Sequence, residues 1–456
     1  MKTKNSNALE PREQWGTRLG FMLAAAGSAI GMGNIWRFPF VVGESGGAAF
    51  VLLYLGFVLM IGLPLLIGEV SIGRRGRSDA MGSYQAIQPN RQAKWYLNGL
   101  IGVVVNFLVL SFYSVVAGWA FYYLIQALTG QLISAEQNYG AAFGAFTEHP
   151  IMPIIWQVIL MTIVVFIVMS GVKKGIEKWN NILMPTLFVL LMILVFRSVS
   201  LENAGEGLQF FLQPDFSVID SDAVLAALGQ AFFSLGLASG LYVTYGSYNK
   251  NRSSIPANAG GIVALDLLVA IMAGLIIFPA VFHYGIDPGS GPELVFITFP
   301  AMFTDMAMGG LFAVVFFFFI FVSALTSAIS LLEVVVAFVK ERFGLSRKTA
   351  TPITAVVITF IGVFASLSFG PLSHVTIFDR TIFELFDFLS AEILLPIAGL
   401  VLSIFLGWIW KPLEVRKEVE KEGNVFPFYP LWAFLIRYVI PGTIVIIFID
   451  TLGLLG

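Results

Sequence analysis

Residues 27–38 read GSAIGMGNIWRF and interrupt what is otherwise one long apolar stretch, from about residue 17 to 42. Glycines stand at 27, 31 and 33, followed by Asn34 and Arg37. Each interior glycine costs a helix about 1 kcal/mol relative to alanine, a poor choice for a segment that only has to sit in lipid. An unwound turn also frees amides and carbonyls that hydrocarbon cannot satisfy, so they must face protein, water or an ion. The stretch therefore predicts a membrane helix broken at mid-depth, with a site for a small ligand and ions at the break.

The composition around it agrees. Of 456 residues, 57% are hydrophobic and only 12% charged, against about 25% charged in ordinary soluble domains. The fold class is an all-α polytopic membrane protein, a single membrane domain over residues 1–456. A net charge of −2 implies no nucleic-acid partner. The absence of cysteine excludes disulfides, thiolate metal sites and cysteine nucleophiles. His149, His283 and His374 fall at predicted loop positions and form no ligand pattern. The polar start, MKTKNSNALEPREQW, does not read as a cleavable signal, and the apolar stretch after it is too long for one.

Spans of roughly 20 apolar residues fall at about 17–42, 48–72, 95–128, 151–171 and 178–199, then 223–248, 259–284, 309–340, 350–369, 383–410 and 429–454. That makes eleven predicted transmembrane helices. Basic clusters at 2–18, 74–94, 173–178, 250–252, 340–348 and 411–421 share one side if the N-terminus is cytoplasmic. The rule that positive charge stays inside then orients the chain, with the C-terminus extracellular. The halves echo one another. Span six carries SLGLASG, Ser234–Gly240, where span one carries its break. Helices 1–5 (17–199) and 6–10 (223–410) thus read as a five-plus-five inverted repeat with helices 1 and 6 broken. Helix 11 (429–454) lies outside it.

Helix ends at such breaks attract ions of both signs. Asn34, Ser234, Thr326 and Ser327 place side-chain oxygens deep in apolar spans, although serine and threonine often bond back to their own helix. Asp266 lies about 8 residues into span seven, ~12 Å along its axis. A carboxylate there is costly and usually marks an ion pathway. Glu69, Glu333 and Glu392 are also intramembrane or nearly so, without a role that the sequence assigns. GESGG at 43–47 fits a nucleophile-elbow pattern but joins two apolar helices, so it reads as a turn.

These motifs resemble the neurotransmitter:sodium symporter family, in its bacterial amino-acid-transporting branch. The resemblance runs from Arg12 to about Pro441 and rests on REQWGTRLGF, AGSAIGMGNIWRFPF, ESGGAAF, GQAFFSLGLASG, SALTSAIS and GLSRK. It implies a first sodium site at the Ala29 carbonyl, Asn34, Ser234, Asp266 and the substrate carboxylate. A second site would use carbonyls of Gly27, Ile30 and Ser323 with the hydroxyls of Thr326 and Ser327. Substrate would lie among Ala29, Gly33, Val109, Tyr113, Phe233, Ser234, Gly236, Ser239, Ser327 and Leu331. Tyr113 would bind its carboxylate and Phe233 would act as a lid.

Arg37 and Asp387 match an outer gate, and Arg12 with Glu341 an inner one. Gly175 and Pro185, spaced G-x9-P, resemble a device for unwinding helix five and admitting water to the second ion. Gly31 stands where monoamine transporters carry an aspartate, which favours amino acids as substrates. The small Gly236 and Ser239 imply room for aromatic or bulky aliphatic side chains. Tyr54, Gln230 and Ser234 match chloride-site positions. Ala270 lacks the glutamate of some bacterial relatives, but Asp266 supplies a fixed charge, so chloride is expected not to be required.

The resemblance implies a sodium-coupled symporter of hydrophobic amino acids in the cell membrane. Its partners would be the amino acid, two sodium ions and the lipid bilayer, with the chain a monomer or weak dimer. An enzyme reading finds no nucleophile and base, a channel reading no continuous polar lining, and proton coupling no lysine mid-span in helices five or eight. A sodium-dependent sensor that binds without net transport would use the same site.

Overall fold

The computed structural model describes residues 12–31, 33–90, 92–134, 138–285, 294–304 and 306–451. Lys2, Lys4 and Arg91 of the basic clusters lie outside them, as do residues 452–454 of the eleventh span. The described chain is helical, because a buried apolar segment can pair its backbone only within itself.

The first span is two helices. α1 (Arg18–Ala29) starts where the Thr17 hydroxyl accepts the Gly20 N–H, and the second helix, α2 (Gly33–Glu44), is bent from it by 62°. Then follow α3 (Ala48–Gly76), α4 (Tyr96–Leu128), α5 (Met152–Met169) and α6 (Val172–Val199). Next come two short helices, α7 (Ser221–Ser234) and α8 (Leu241–Ser247). The order ends with α9 (Ile255–His283), α10 (Gly309–Phe343), α11 (Arg347–Leu367), α12 (Ile382–Ile409) and α13 (Tyr429–Ile446).

Among the described residues nine helices are long and apolar enough to cross a membrane, and a tenth if α1 and α2 form one bent span. The remaining predicted span falls on α7 and α8, each shorter than the ~20 residues a crossing needs. The count of eleven therefore depends on taking that broken pair as one crossing. The connections predicted between spans hold helices of their own, Tyr139–Thr147, Ala204–Leu212 and Phe299–Thr304.

The break between α7 and α8 is built into the backbone. Gly236, Ala238 and Gly240 all have positive φ, at 60°, 61° and 75°. Glycine takes that conformation freely, whereas an alanine there costs roughly 1–2 kcal/mol, and Ala238 has a specific partner, described below. α4 comes close against the same break: a Cβ on Gly102 would lie 2.6 Å from the Ser239 carbonyl oxygen. α1 packs on α6, α9 and α10, while α3 packs against both α7 and α8. The two helix breaks are thereby enclosed by protein. Val189, Met192 and Phe196 on α6, with Val356 and Phe360 on α11, stay exposed. Such an apolar outer face suits lipid rather than water. The chain is a multi-pass membrane protein.

Candidate functional site

The polar residues of four elements converge where the first break meets the second. Asn34, in the wide first turn of α2, donates from Nδ2 to Asp266 Oδ1 on α9 at 2.7 Å. Its Oδ1 accepts the Ser234 hydroxyl, at the end of α7, at 2.9 Å. Tyr54 on α3 donates to Ser234 Oγ at 2.9 Å and lies 3.4 Å from Asp266 Oδ2. All four side chains are buried. The sequence separations are 200 and 232 residues, so only the tertiary fold makes this one cluster. Ala29 ends α1, and its carbonyl accepts the Gly31 N–H at 2.8 Å.

A second cluster joins α1 to α10. Ser323 donates its hydroxyl to the Ile30 carbonyl at 3.0 Å, and Thr326 to the Ser323 carbonyl at 2.9 Å. Ser327 Oγ lies 3.4 Å from the Gly27 carbonyl oxygen and 3.3 Å from that of Ser28. Every residue expected for the second ion site is thus in one buried, all-oxygen group. Among the described residues no three His, Cys, Asp or Glu side chains gather as a transition-metal site would require. Hard, singly charged cations are served by carbonyl and hydroxyl oxygens of this kind at unwound helices.

Some of the residues expected to touch substrate lie beside these clusters. A Cβ on Gly31 would sit 2.9 Å from Ser327 Oγ and 3.6 Å from the Tyr113 hydroxyl. A Cβ on Gly33 would lie 3.1 Å from the Phe233 ring. Ser239 donates its hydroxyl to the Gly236 carbonyl at 2.8 Å. Val109 precedes Tyr113 by one turn of α4, and Leu331 follows Ser327 by one turn of α10; both are half-buried.

Two residues that position this site had no role in the sequence reading. Asn106, one turn before Val109, donates to the Ser239 carbonyl at 2.6 Å and to Gly102 at 2.7 Å. Its signal was an asparagine inside an apolar span. Glu69 on α3 accepts the Ala238 N–H at 3.0 Å, which holds the left-handed alanine in place. Glu333 also gains a partner set: it accepts the Tyr248 hydroxyl at 2.6 Å and pairs with Arg347 at 2.5 Å. Glu392 lines a cavity of about 100 Å³ together with Arg37, Phe233 and Pro396.

The two expected gates differ in state. Arg12 is ion-paired with Glu341, and its Nε donates to the Ser247 hydroxyl at 3.0 Å. Trp15 seals the same end, its indole donating to the Tyr245 carbonyl at 3.0 Å. Glu177, buried in the wide first turn of α6, accepts the Gly16 and Thr17 N–H groups at 2.6 and 3.0 Å. Burial would raise the Glu13 carboxyl, but the charge of Arg347 and the Val172 N–H outweigh it and hold it below the ordinary range. At the other end Arg37 lies 4.3 Å over the Phe233 ring. Among the described residues no ion pair within 4.0 Å joins it to Asp387, although Asp387 and Glu392 are the carboxylates whose charge reaches it.

Chains of similar sequence and fold exist among known proteins. The model of the sodium:neurotransmitter symporter family matches residues 12–142 and 148–454. An uncharacterized sodium-dependent transporter, YhdH of Bacillus subtilis (strain 168), is 39% identical over 97% of this chain and 98% of its own length. Another uncharacterized sodium-dependent transporter, from Haemophilus influenzae, is 34% identical over 97% of this chain and 98% of its own. The crystal structure of MhsT in complex with L-phenylalanine superimposes with a TM-score of 0.89 at 45% identity, covering 97% of this chain and all of that one. Two oxygen-lined clusters at paired helix breaks, in a chain related over nearly its whole length to these proteins, place it: it belongs to the sodium:neurotransmitter symporter family, sodium-dependent secondary transporters and not enzymes.

Proposed function

We propose that the protein takes up hydrophobic amino acids, aromatic ones included, together with two sodium ions. The observation that carries this reading is the Asn34–Ser234–Asp266 cluster, which unites both helix breaks within hydrogen-bonding distance. A sodium ion held there and by the Ala29 carbonyl would have room for a substrate carboxylate as a further ligand. Substrate and ion then strengthen one another's binding, and by linkage the effect is reciprocal. The second ion would sit among Gly27, Ile30, Ser323, Thr326 and Ser327. The phenylalanine bound to MhsT supports a hydrophobic substrate, as does the uncharged Gly31 beside Tyr113.

Transport would follow alternating access between two inverted five-helix repeats, 17–199 and 223–410, with 429–454 outside them. The N-terminus would be cytoplasmic, the C-terminus extracellular and the membrane that of the cell surface. Phe233 would close over substrate as the Arg37–Asp387 gate draws together. Release would require the Arg12–Glu341 pair and the Glu177 tether to part. Asp266 supplies the fixed negative charge beside Tyr54 that makes chloride unnecessary.

The test is uptake of labelled phenylalanine and leucine into proteoliposomes, with and without an inward sodium gradient. Accumulation above equilibrium only with sodium, abolished by Asp266→Ala, is the expected result. Sodium-dependent binding without accumulation would replace the symporter by a sensor. Replacing chloride with gluconate is expected to leave uptake unchanged, and a collapse would refute chloride independence.

A further inference from the structure

Asn180, on α6, is fully buried, and among the described residues its Oδ1 has no hydrogen-bond partner. Its Nδ2 donates to the Ile176 carbonyl at 2.9 Å, which leaves the amide oxygen as the atom pointing away from α6. That oxygen faces the second cluster. The point where Gly27 would carry a Cβ lies 2.7 Å from Asn180 Oδ1, 2.9 Å from Met184 Sδ and 3.3 Å from Thr326 Cβ. Gly27 and Thr326 both belong to the oxygen group that joins α1 to α10. A buried acceptor without a donor is destabilising, and a leucine there would avoid that cost.

We propose that the Asn180 side-chain oxygen is an auxiliary cation ligand, which takes over the second sodium ion as it leaves toward α6. The location fits an exit. Ile176, which holds the Asn180 amide, lies in the wide turn Val172–Glu177, and Glu177 of that turn tethers Gly16 and Thr17. Movement of the segment before α1 thus pulls on the same turn that orients Asn180. An oxygen there replaces part of the coordination lost when the Gly27 and Ile30 carbonyls move apart. The inference rests on the functional reading above and adds a residue outside its ion sites.

The experiment compares wild type, Asn180→Asp and Asn180→Leu as purified full-length protein, in two measurements. The first is the sodium concentration that half-saturates phenylalanine binding; the second is net uptake into proteoliposomes. A carboxylate at 180 is expected to lower the half-saturating sodium concentration roughly tenfold, within the range that outer-shell changes produce at metal sites. Asn180→Leu is expected to leave binding within about twofold but to slow net uptake roughly tenfold. Asn180→Asp keeps the shape of asparagine, so the test stands even if the leucine variant does not fold. Wild-type behaviour of both variants, or an equal rise in half-saturating sodium for both, would make Asn180 a packing residue and overturn the proposal alone. A wild-type protein without sodium dependence would overturn the functional reading and this proposal with it.

Discussion

Gly31 and Asn34 show how single residues shape the site. A methyl group at position 31 would approach Ser327 Oγ to 2.9 Å, tighter than ordinary contact, and would enter the space next to Tyr113. Gly31→Ala is therefore expected to weaken phenylalanine binding by roughly tenfold, about 1.4 kcal/mol, while the Ser327 hydroxyl rotates aside and the fold survives. Equilibrium binding with a thermal unfolding control checks it. Asn34→Ala removes a donor from Asp266 and an acceptor from Ser234. It is expected to raise the half-saturating sodium concentration for binding at least roughly tenfold; an unchanged value would exclude Asn34 from the first ion site. Both residues were legible in the sequence because glycine and asparagine are poor occupants of a lipid-spanning helix. The sequence reading names Glu69 without a role and does not name Asn106, because each acts on the backbone of a segment more than 130 residues away.

At the level of elements, the segment before α1 is held by several short contacts rather than one lock. Glu341 pairs with Arg12 and also accepts the Ser78 hydroxyl at 2.6 Å and the Asp79 N–H at 2.9 Å. Asp79 caps the helix Ala80–Ile87 through the Met81 N–H at 2.9 Å. Burial, then the neighbouring Glu341 charge, pushes the Asp79 carboxyl up to about 6. An acid with a raised value binds its proton more tightly in this closed gate than when exposed. The closed gate is therefore favoured at low pH and loses that stabilisation as pH rises from the ordinary aspartate value of 3.8 through about 6. Transport limited by opening of this gate is expected to speed up across that window. Asp79→Asn, which keeps the helix cap, is expected to flatten the profile. Uptake measured at equal pH on both sides of the vesicle tests this, and a variant as pH-dependent as wild type would remove Asp79 from the gate.

Across the whole molecule, one buried ion pair fastens the helices near this end to the connection that leads to α13. Arg74, at the end of α3, donates to Glu418 Oε1 at 2.9 Å and to the Ser253 carbonyl at 2.6 Å, and both charged side chains are buried. Arg74→Ala would leave the Glu418 carboxylate to Lys421 at 2.5 Å and Arg75 at 3.7 Å. Breaking a buried pair from one side costs about 3–5 kcal/mol, so a clear fall in unfolding temperature is expected in detergent. A temperature within a degree or so of wild type would show that the remaining cations suffice.

The sequence by itself determined that this is a helical membrane protein and pointed to helices broken near residues 30 and 237, since glycines, an asparagine and a carboxylate are costly in apolar spans. It also singled out Asn34, Ser234, Asp266, Thr326 and Ser327, because a polar group in lipid must find a partner. Which partner it finds is a tertiary matter. The pairing of Asn34 with Asp266, the hold of Glu69 on Ala238, the stacking of Arg37 on Phe233 and the aim of Asn180 at Gly27 join positions far apart in the chain. Periodicity and composition report only on neighbours along one helix, whereas these contacts are set by how α1, α3, α6, α9 and α10 pack around the two breaks.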